Sequence, residues 1–284
     1  MSRTVYVNGD YLPEEDAKIS VFDRGFLFAD AVYEVSSVLG SKLIDNASHL
    51  TRLERSLGEL KITAPMPMTS IEAVQLELIQ RNELTEGSIY IQISRGAADR
   101  DFAFPKHATP SLVMFTQARN IIDSPAAKRG IAVMTVPDIR WERRDIKTVQ
   151  LLAASMAKQT AIAAGFDDAW VTDGNIVNEA SSANAYIVDE HGTIITRHLG
   201  NEILHGITRA AVLKLCREHH INIEERPFTV EEAYAASEAF ITSASSFVYA
   251  VVRINDRTLS NGAPGPIAVK LREYYIEAAL AAQQ

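Results

Sequence analysis

Cysteine is almost absent from this 284-residue sequence, in which Cys216 is the only one. A single cysteine cannot form an internal disulfide. Cys216 follows alanine, valine and leucine residues in a pattern typical of the apolar face of a helix, so a reactive role is not expected. These features favour a reducing, cytoplasmic location.

Long apolar runs and basic runs are also absent. No stretch of 18 or more apolar residues could cross a bilayer, and the first ten residues alternate like a strand instead of resembling an export signal. The formal net charge is −8, from 28 basic and 36 acidic residues. This balance argues against nucleic acid or an anionic membrane as a partner, although a local site could still hold a small anion. No metal site is expected.

The sequence pattern predicts a mixture of helices and strands. Leu50, Leu53, Leu57 and Leu60 recur at helical spacing, with Asp45 or Asn46 as the cap. Further helices are predicted over 71–81, 151–164, 208–219, 230–236 and 266–279. Strands are predicted within 3–12 and 31–44 and over 88–94, 111–117, 131–136, 169–172, 194–196 and 239–243.

A polar stretch that contains Pro125 lies between two of these strands and shows no clear periodicity. It is interpreted as an interdomain linker over 119–129. The chain is therefore expected to be α+β, with a small N-terminal α/β domain over 1–118. A larger, barrel-like β domain with surface helices would occupy 130–284.

Lys147 and Glu179 are candidates for chemistry. A lysine is usually a solvated surface group, but an amine whose pKa is lowered by burial or by nearby cations, such as Arg143 and Arg144, can form a Schiff base with an aldehyde. Glu179 follows a strand-turn-strand and lies among small residues. Such a position is compatible with a polar hairpin or with a carboxylate that faces a heteroaromatic nitrogen and keeps it protonated.

Three segments offer anion-binding groups. Residues 206–209 precede a predicted helix, whose free N–H groups and dipole could receive a phosphate. The hydroxyls of 242–246 suit the same task, although a serine-rich turn would look the same. Arg52 lies off the leucine stripe of its helix and would contact solvent or the same anion.

Together and in this order, these segments resemble the fold-type IV (class IV) pyridoxal-phosphate aminotransferases, and the similarity covers nearly the whole chain. It is carried by residues 23–35, 49–53, 145–147, 178–184, 206–209 and 242–243. The resemblance implies pyridoxal 5′-phosphate as cofactor, a homodimer, and small-molecule partners: an amino donor and a 2-keto acid acceptor.

The resemblance also implies residue roles. Lys147 would form the Schiff base and shuttle the proton, Glu179 would pair with the pyridine nitrogen, and Ser182 would lie near the site of proton transfer. Leu204 would pack under the ring. The phosphate would be held by Arg52, Ile207, Thr208, Ser243 and the amide of Ala244, at whose position the family can carry a hydroxyl residue.

Within the family, the chain most resembles the D-amino-acid transaminases, which work by a ping-pong mechanism. Tyr33, Val35 and the segment 94–105 match their pattern, with Arg100 as the residue that binds the substrate carboxylate. Those enzymes commonly have a histidine two residues later, where this chain has Phe102. This departure weakens the carboxylate site and extends the expected range to primary amines of R configuration.

Three alternatives remain open at this stage. A branched-chain L-amino-acid transaminase would bind the carboxylate through backbone amides near a strand-end loop, but residues 243–246 lack the Gly-Thr-Ala character of that group. An aminodeoxychorismate-lyase-type enzyme would not transaminate. A binding module that keeps only the fold would need neither Lys147 nor Glu179.

Overall fold

The computed structural model describes residues 2–281, and the chain divides into two compact units. Unit 1 comprises Met1–Asn120 and Ile146–Gln150, and unit 2 comprises Ile121–Asp145 and Leu151–Gln284. Each unit combines helices with one sheet, which confirms the predicted two-part α+β organisation. Among the described residues, no helix has both the length and the apolar character needed to cross a membrane.

Unit 1 contains a six-stranded sheet in which every strand pair is antiparallel. The strands lie in the order β2-β1-β6-β5-β3-β4. In chain order, the elements are β1 (Thr4–Val7), β2 (Asp10–Pro13), α1 (Arg24–Phe28), β3 (Ala31–Leu39), β4 (Lys42–Ile44), α2 (Asn46–Leu60), α3 (Met68–Arg81), β5 (Glu86–Ser94) and β6 (Ser111–Ala118).

Strand β3 and helix α2 pack against each other. The predicted leucine stripe is confirmed for Leu50, Leu53 and Leu57, which are buried, while Leu60 at the end of the helix is half-buried. Along β3, even-numbered residues from Val32 to Ser36 are buried, whereas Tyr33 and Val35 are half-buried on the opposite face. Asp45 occupies the N-cap of α2, but its backbone is left-handed and its side chain makes no capping hydrogen bond, so the predicted cap interaction is wrong.

Unit 2 is built on a nine-stranded mixed sheet. Its main path runs β12-β11-β10-β13-β14-β7-β8-β9, with β15 paired to β14. The elements are α4 (Pro125–Arg129), β7 (Ile131–Pro137), α5 (Leu152–Ala163), β8 (Asp168–Asp173), β9 (Ile176–Ala180), β10 (Asn184–Val188), β11 (Ile194–Thr196), α6 (Ile207–Glu218), β12 (Ile223–Glu225), α7 (Val230–Ala235), β13 (Glu238–Ser243), β14 (Phe247–Ile254), β15 (Arg257–Thr258) and α8 (Pro266–Ala281).

The segment predicted as a linker is held to unit 2 instead. It contains helix α4. Arg272 of α8 donates hydrogen bonds to the carbonyl oxygens of Ile121 and Ile122. The hydroxyl of Tyr249 donates to Ser124 Oγ at 2.7 Å. These polar contacts explain why the boundary falls before Ile121 and not at the end of a free linker.

The segment that carries Lys147 also differs from its predicted position in the larger C-terminal domain, because it packs with unit 1. The N–H of Tyr33 donates to the Lys147 carbonyl at 3.0 Å, and the N–H of Val149 donates to the Ala31 carbonyl at 3.1 Å. Val32 and Thr148 form an isolated antiparallel bridge. This short backbone ladder continues the edge of β3 and fixes the position of the lysine.

Candidate active site

Lys147 faces an aromatic ring in unit 1. Its Nζ lies 4.2 Å from the centre of the Tyr33 ring, and the side chain is half-buried. Within residues 2–281, the ammonium group forms no ion pair. Lys147 is thus held by backbone hydrogen bonds and a cation–π contact, and its amine is not neutralised by a carboxylate.

Arg143 and Arg144 form ion pairs with acids of unit 2. They had been considered as cations that could lower the pKa of Lys147. Arg143 Nε lies 2.9 Å from Asp145 Oδ1, and Arg144 Nε lies 3.3 Å from Asp138 Oδ2. The two arginines were expected either to act as cations near Lys147 or to form ion pairs, and the structure shows ion pairs.

Glu179 is buried at the end of β9 in unit 2 and is 3% exposed. Its Oε1 accepts from Arg140 Nη1 at 2.6 Å, and its Oε2 accepts from Asn184 Nδ2 at 3.0 Å. The N–H of Leu204 lies 3.2–3.3 Å from both oxygens. Burial raises the pKa of Glu179, while the charge and hydrogen bond of Arg140 oppose that rise.

Asn184 connects Glu179 to the N-terminus of helix α6. Its Nδ2 also donates to the Leu204 carbonyl at 3.0 Å. A Cβ on Gly206, the N-cap of α6, would lie 2.1 Å from Asn184 Oδ1, so only glycine fits this close approach. The first helical residues, Ile207 and Thr208, follow directly, and Thr208 is buried.

The serine-rich turn after β13 lies on the other side of Asn184. Asn184 pairs with Thr242 across the sheet, which places Ser243 at the neighbouring position. Ser243 Oγ lies 2.7 Å from Ser246 Oγ, and Ser243 and Ala244 are both half-buried. Unit 2 therefore brings together five of the predicted residues around Asn184: Glu179, Leu204, Ile207, Thr208 and Ser243.

Arg52 forms a buried ion pair that was not predicted. It lies in unit 1, is 7% exposed, and forms a fork with the buried carboxylate of Glu34. Arg52 Nε lies 2.7 Å from Oε1 and Nη2 lies 2.8 Å from Oε2. His49 Nδ1 is also 2.8 Å from Oε2. Two guanidinium nitrogens are thus committed to Glu34, and the phosphate contact of Arg52 stays a prediction.

Arg100 and Phe102 lie on the loop after β5 in unit 1. The Arg100 guanidinium lies 5.4 Å from the Phe28 ring centre and 5.6 Å from that of Phe102. Among the residues the structure describes, Arg100 forms no ion pair, so Asp99 and Asp101 do not neutralise it. Its charge is available for a carboxylate.

Arg24 anchors this loop from α1. The side chain is buried and donates to the Asp101 carbonyl at 2.6 Å and to Asp30 Oδ2 at 2.8 Å. Arg95 donates to the same Asp30 oxygen at 2.7 Å. The loop that carries Arg100 is therefore tied to a buried charge cluster.

Sequence reasoning missed several of these residues, all of them partners of predicted ones. Signals did exist: an acid at a buried position of a strand for Glu34, and alternating charges after β7 for the pair at 138 and 140. The missed residues are Glu34, His49, Asp138, Arg140 and, as a linking residue, Asn184.

Comparison with known proteins decides the family. The family model for amino-transferase class IV matches residues 31–254. The chain belongs to the class IV aminotransferases. It is therefore a pyridoxal-5′-phosphate-dependent aminotransferase with the fold-type IV architecture, as predicted.

Relatives and solved structures agree with this assignment. The chain is 34% identical over 272 residues to a D-alanine aminotransferase of Staphylococcus aureus (strain N315), covering 95% of each chain. It is 34% identical over 266 residues to one of Bacillus licheniformis, covering 93% of this chain and 92% of the relative. The Escherichia coli branched-chain amino acid aminotransferase superposes with a TM-score of 0.91 at 19% identity, covering 98% of this chain and 95% of that one.

The cofactor fits the geometry of unit 2. A carboxylate has about four acceptor positions. Arg140, Asn184 and Leu204 supply three donors to Glu179, which leaves room for one more, such as a protonated ring nitrogen. The glycine-requiring start of α6 adjoins the same asparagine and offers backbone N–H groups to a phosphate.

Proposed function

We propose that this class IV aminotransferase transfers the amino group of a D-amino acid to a 2-keto acid by a ping-pong mechanism. Support comes from the relatives named D-alanine aminotransferase and from one observation on this chain. Arg100 lies beside the rings of Phe28 and Phe102 and forms no ion pair among the described residues. A guanidinium fork in that environment suits the bidentate binding of a substrate carboxylate.

The proposed residue roles follow the geometry of each unit. Pyridoxal phosphate supplies the aldehyde and the electron sink. Lys147 Nζ would bind that aldehyde and later carry the proton removed from the substrate α-carbon. Glu179 would hold the proton on the ring nitrogen.

The other predicted contacts remain part of the proposal. Leu204 would pack on the ring, and Ser182, exposed on the β9–β10 turn, would adjoin the site of proton transfer. The phosphate would be held by Ile207, Thr208, Ser243, the Ala244 amide and Arg52.

Tyr33 and Val35 share one face of β3 and would line the substrate site. Phe102, 79% exposed, offers no hydrogen-bond donor to a carboxylate. For this reason we also propose that (R)-primary amines are accepted as secondary donors.

A half-reaction series tests the substrate class. The purified enzyme is mixed with D-alanine, D-glutamate, L-leucine or (R)-1-phenylethylamine, and the change in cofactor absorbance is followed. We expect D-alanine and D-glutamate to react fastest and the amine more slowly. Faster reaction with L-leucine would assign a branched-chain L-amino-acid enzyme, and conversion without amino transfer would assign a lyase.

Arg100→Ala tests the carboxylate site itself. It should lose on the order of 2–4 kcal/mol of transition-state binding for D-amino acids and leave (R)-1-phenylethylamine nearly unchanged. Arg81→Ala is the matched control, because Arg81 also lies over an aromatic ring, 4.3 Å from Tyr11, on the outside of unit 1. Equal losses for D-alanine and the amine would make Arg100 structural.

We further propose a homodimer. Unit 1 exposes a cluster of large apolar side chains: Val21, Phe22, Phe26, Phe102 and Phe104. Phe28 joins the two segments through an edge contact of 5.6 Å with Phe102. A second copy would cover this surface. Sedimentation analysis should give a dimer, and a fully active monomer would contradict the proposal.

A further inference from the structure

Arg140 lies between two buried carboxylates of unit 2. Its Nε and Nη2 donate to Asp138 at 2.9 Å and 2.7 Å, and its Nη1 donates to Glu179 Oε1 at 2.6 Å. The side chains of Asp138 and Glu179 are 1% and 4% exposed, and that of Arg140 is 13% exposed. Asn178 Nδ2, on β9, donates to Asp138 Oδ2 at 2.9 Å.

We propose that Arg140 is a positioning residue that keeps Glu179 ionised and aimed, with Asp138 fixing the guanidinium in place. The proposal rests on the proposed role of Glu179 at the ring nitrogen. In this scheme Arg140 contacts neither substrate nor cofactor. It acts through Glu179, by controlling whether that carboxylate is ionised and how it is oriented.

The balance of charges supports this assignment. Within the described part of the chain, Arg140 is the one cation that forms an ion pair with Glu179, since the other two donors, Asn184 and Leu204, are neutral. Burial raises the pKa of Glu179, and the charge of Asp138 raises it further, so only Arg140 favours the ionised form strongly. Without Arg140, Glu179 would become protonated more easily. A protonated, neutral Glu179 could not keep a proton on a ring nitrogen.

The geometry also orients the carboxylate. Arg140 approaches Oε1 while Asn184 approaches Oε2, so the two oxygens are fixed from opposite ends. Desolvation would lower the pKa of Arg140, but Asp138 and Glu179 raise it above its ordinary value, and the guanidinium stays charged. Because the guanidinium is always charged and is held at three nitrogens, it can keep the neighbouring Glu179 ionised.

The first test uses the unloaded enzyme, so that it does not depend on turnover. Infrared difference spectroscopy follows the carbonyl band of protonated carboxyl groups in wild type and Arg140→Gln, with Glu179→Gln to assign the band. We expect the Glu179 band to appear at a higher pH in Arg140→Gln than in wild type. Arg129→Gln is the matched control, because it breaks a similar fork with Asp167 at the surface and should not move the band.

The second test uses the loaded enzyme. Arg140→Gln should slow both half-reactions by about 10- to 150-fold, the range expected for one charge-assisted hydrogen bond. The loss should shrink as the pH rises, because a higher pH ionises Glu179 again. Arg140→Lys should recover part of the rate, since it restores the charge without the fork.

The outcomes separate the proposal from the function on which it rests. If wild type neither binds pyridoxal phosphate nor transaminates, the proposed function fails, while the infrared result still decides the role of Arg140. An unchanged Glu179 band, or a rate loss independent of pH, would overturn the inference. If Arg140→Gln does not fold because Asp138 loses its fork, Asp138→Asn/Arg140→Gln is compared with Asp138→Asn alone, and the band must still move to a higher pH in the double variant.

Discussion

The buried fork between Glu34 and Arg52 predicts a large and local loss of stability. Glu34 is fully buried on β3, and Glu34→Gln keeps its shape while removing its charge. Arg52 would then lose the carboxylate charge that its buried fork binds. Breaking such a pair on one side usually costs about 3–5 kcal/mol.

The titration of Glu34 gives a similar magnitude. Burial alone would raise the pKa of Glu34, but the charge and hydrogen bonds of Arg52, together with His49, lower it from 4.5 to about 2. That difference corresponds to about 3 kcal/mol of stabilisation. Because the pKa is lowered in the folded state, the stabilisation is present above about pH 4.5 and is lost as the pH falls towards 2.

Urea unfolding with two probes is the appropriate assay. Both tryptophans, Trp141 and Trp170, belong to unit 2, so their fluorescence reports that unit. Hydrogen exchange of peptides from β3 and α2 reports unit 1. At pH 7, Glu34→Gln should lower the free energy of unfolding of unit 1 by about 3–5 kcal/mol, with the difference from wild type shrinking below pH 4.5.

Glu59→Gln provides the control, since Glu59 lies on α2, the helix that carries Arg52. Glu59 forms an exposed pair with Arg55, and such pairs contribute under about 0.5 kcal/mol. A loss in Glu34→Gln no larger than in Glu59→Gln would refute the argument. A pH-independent difference between Glu34→Gln and wild type would show that the effect comes from packing and not from charge.

Two further predictions concern the active site. Lys147→Ala should keep the fold by circular dichroism, because among the described residues its ammonium group forms no ion pair and has a cation–π contact with Tyr33. It should lower turnover by at least about 1000-fold, and normal multiple turnover would exclude the assignment. Gly206→Ala should displace Asn184, weaken cofactor retention about 10-fold and cost about 1–3 kcal/mol in thermal unfolding. Its control, Gly58→Ala, adds a Cβ with no atom within 4 Å inside a helix and should stabilise by about 0.5–1 kcal/mol.

Local hydrophobic patterns in the sequence predicted most helices and strands, because the spacing of apolar residues reflects which face of an element is buried. The leucine stripe of α2 and the alternating isoleucines of β5 both correspond to buried faces. Strand β14 was missed although it lies in the middle of the sheet. It begins at Phe247, whose φ is +58°, directly after the serine-rich turn that joins it to β13, and its other neighbour, β7, is distant in sequence.

Long-range charge pairs were not predictable from the sequence. Arg52 was predicted to contact solvent or a phosphate because it lies off the leucine stripe; its ion pair with Glu34, on a strand 18 residues earlier, was not predicted. Arg140 precedes Glu179 by 39 residues. Such pairings depend on which strands become neighbours, and that information is not contained in local periodicity.

Glu34 and Glu179 are both buried glutamates that pair with arginine, yet their pKa values move in opposite directions. The difference lies in the balance of charges around them. Glu34 pairs with Arg52 and His49, whereas Glu179 pairs, among the described residues, with one cation, Arg140, which also pairs with Asp138. At Glu179 the effect of burial outweighs that of Arg140, and a protonated ring nitrogen would add a positive charge beside the carboxylate.

This imbalance leads to a prediction of opposite effects in the two states of the enzyme. Because the pKa of Glu179 is raised by folding, its ionised form costs stability once the pH exceeds that pKa. Glu179→Gln should therefore leave the unloaded protein as stable as wild type or more stable at neutral pH. It should also reduce the rise in melting temperature that pyridoxal phosphate produces, since the bound ring nitrogen would lose its counter-charge. Melting curves with and without the cofactor distinguish the two effects, and a marked loss of stability in the unloaded variant would show that Glu179 serves the fold and not the cofactor.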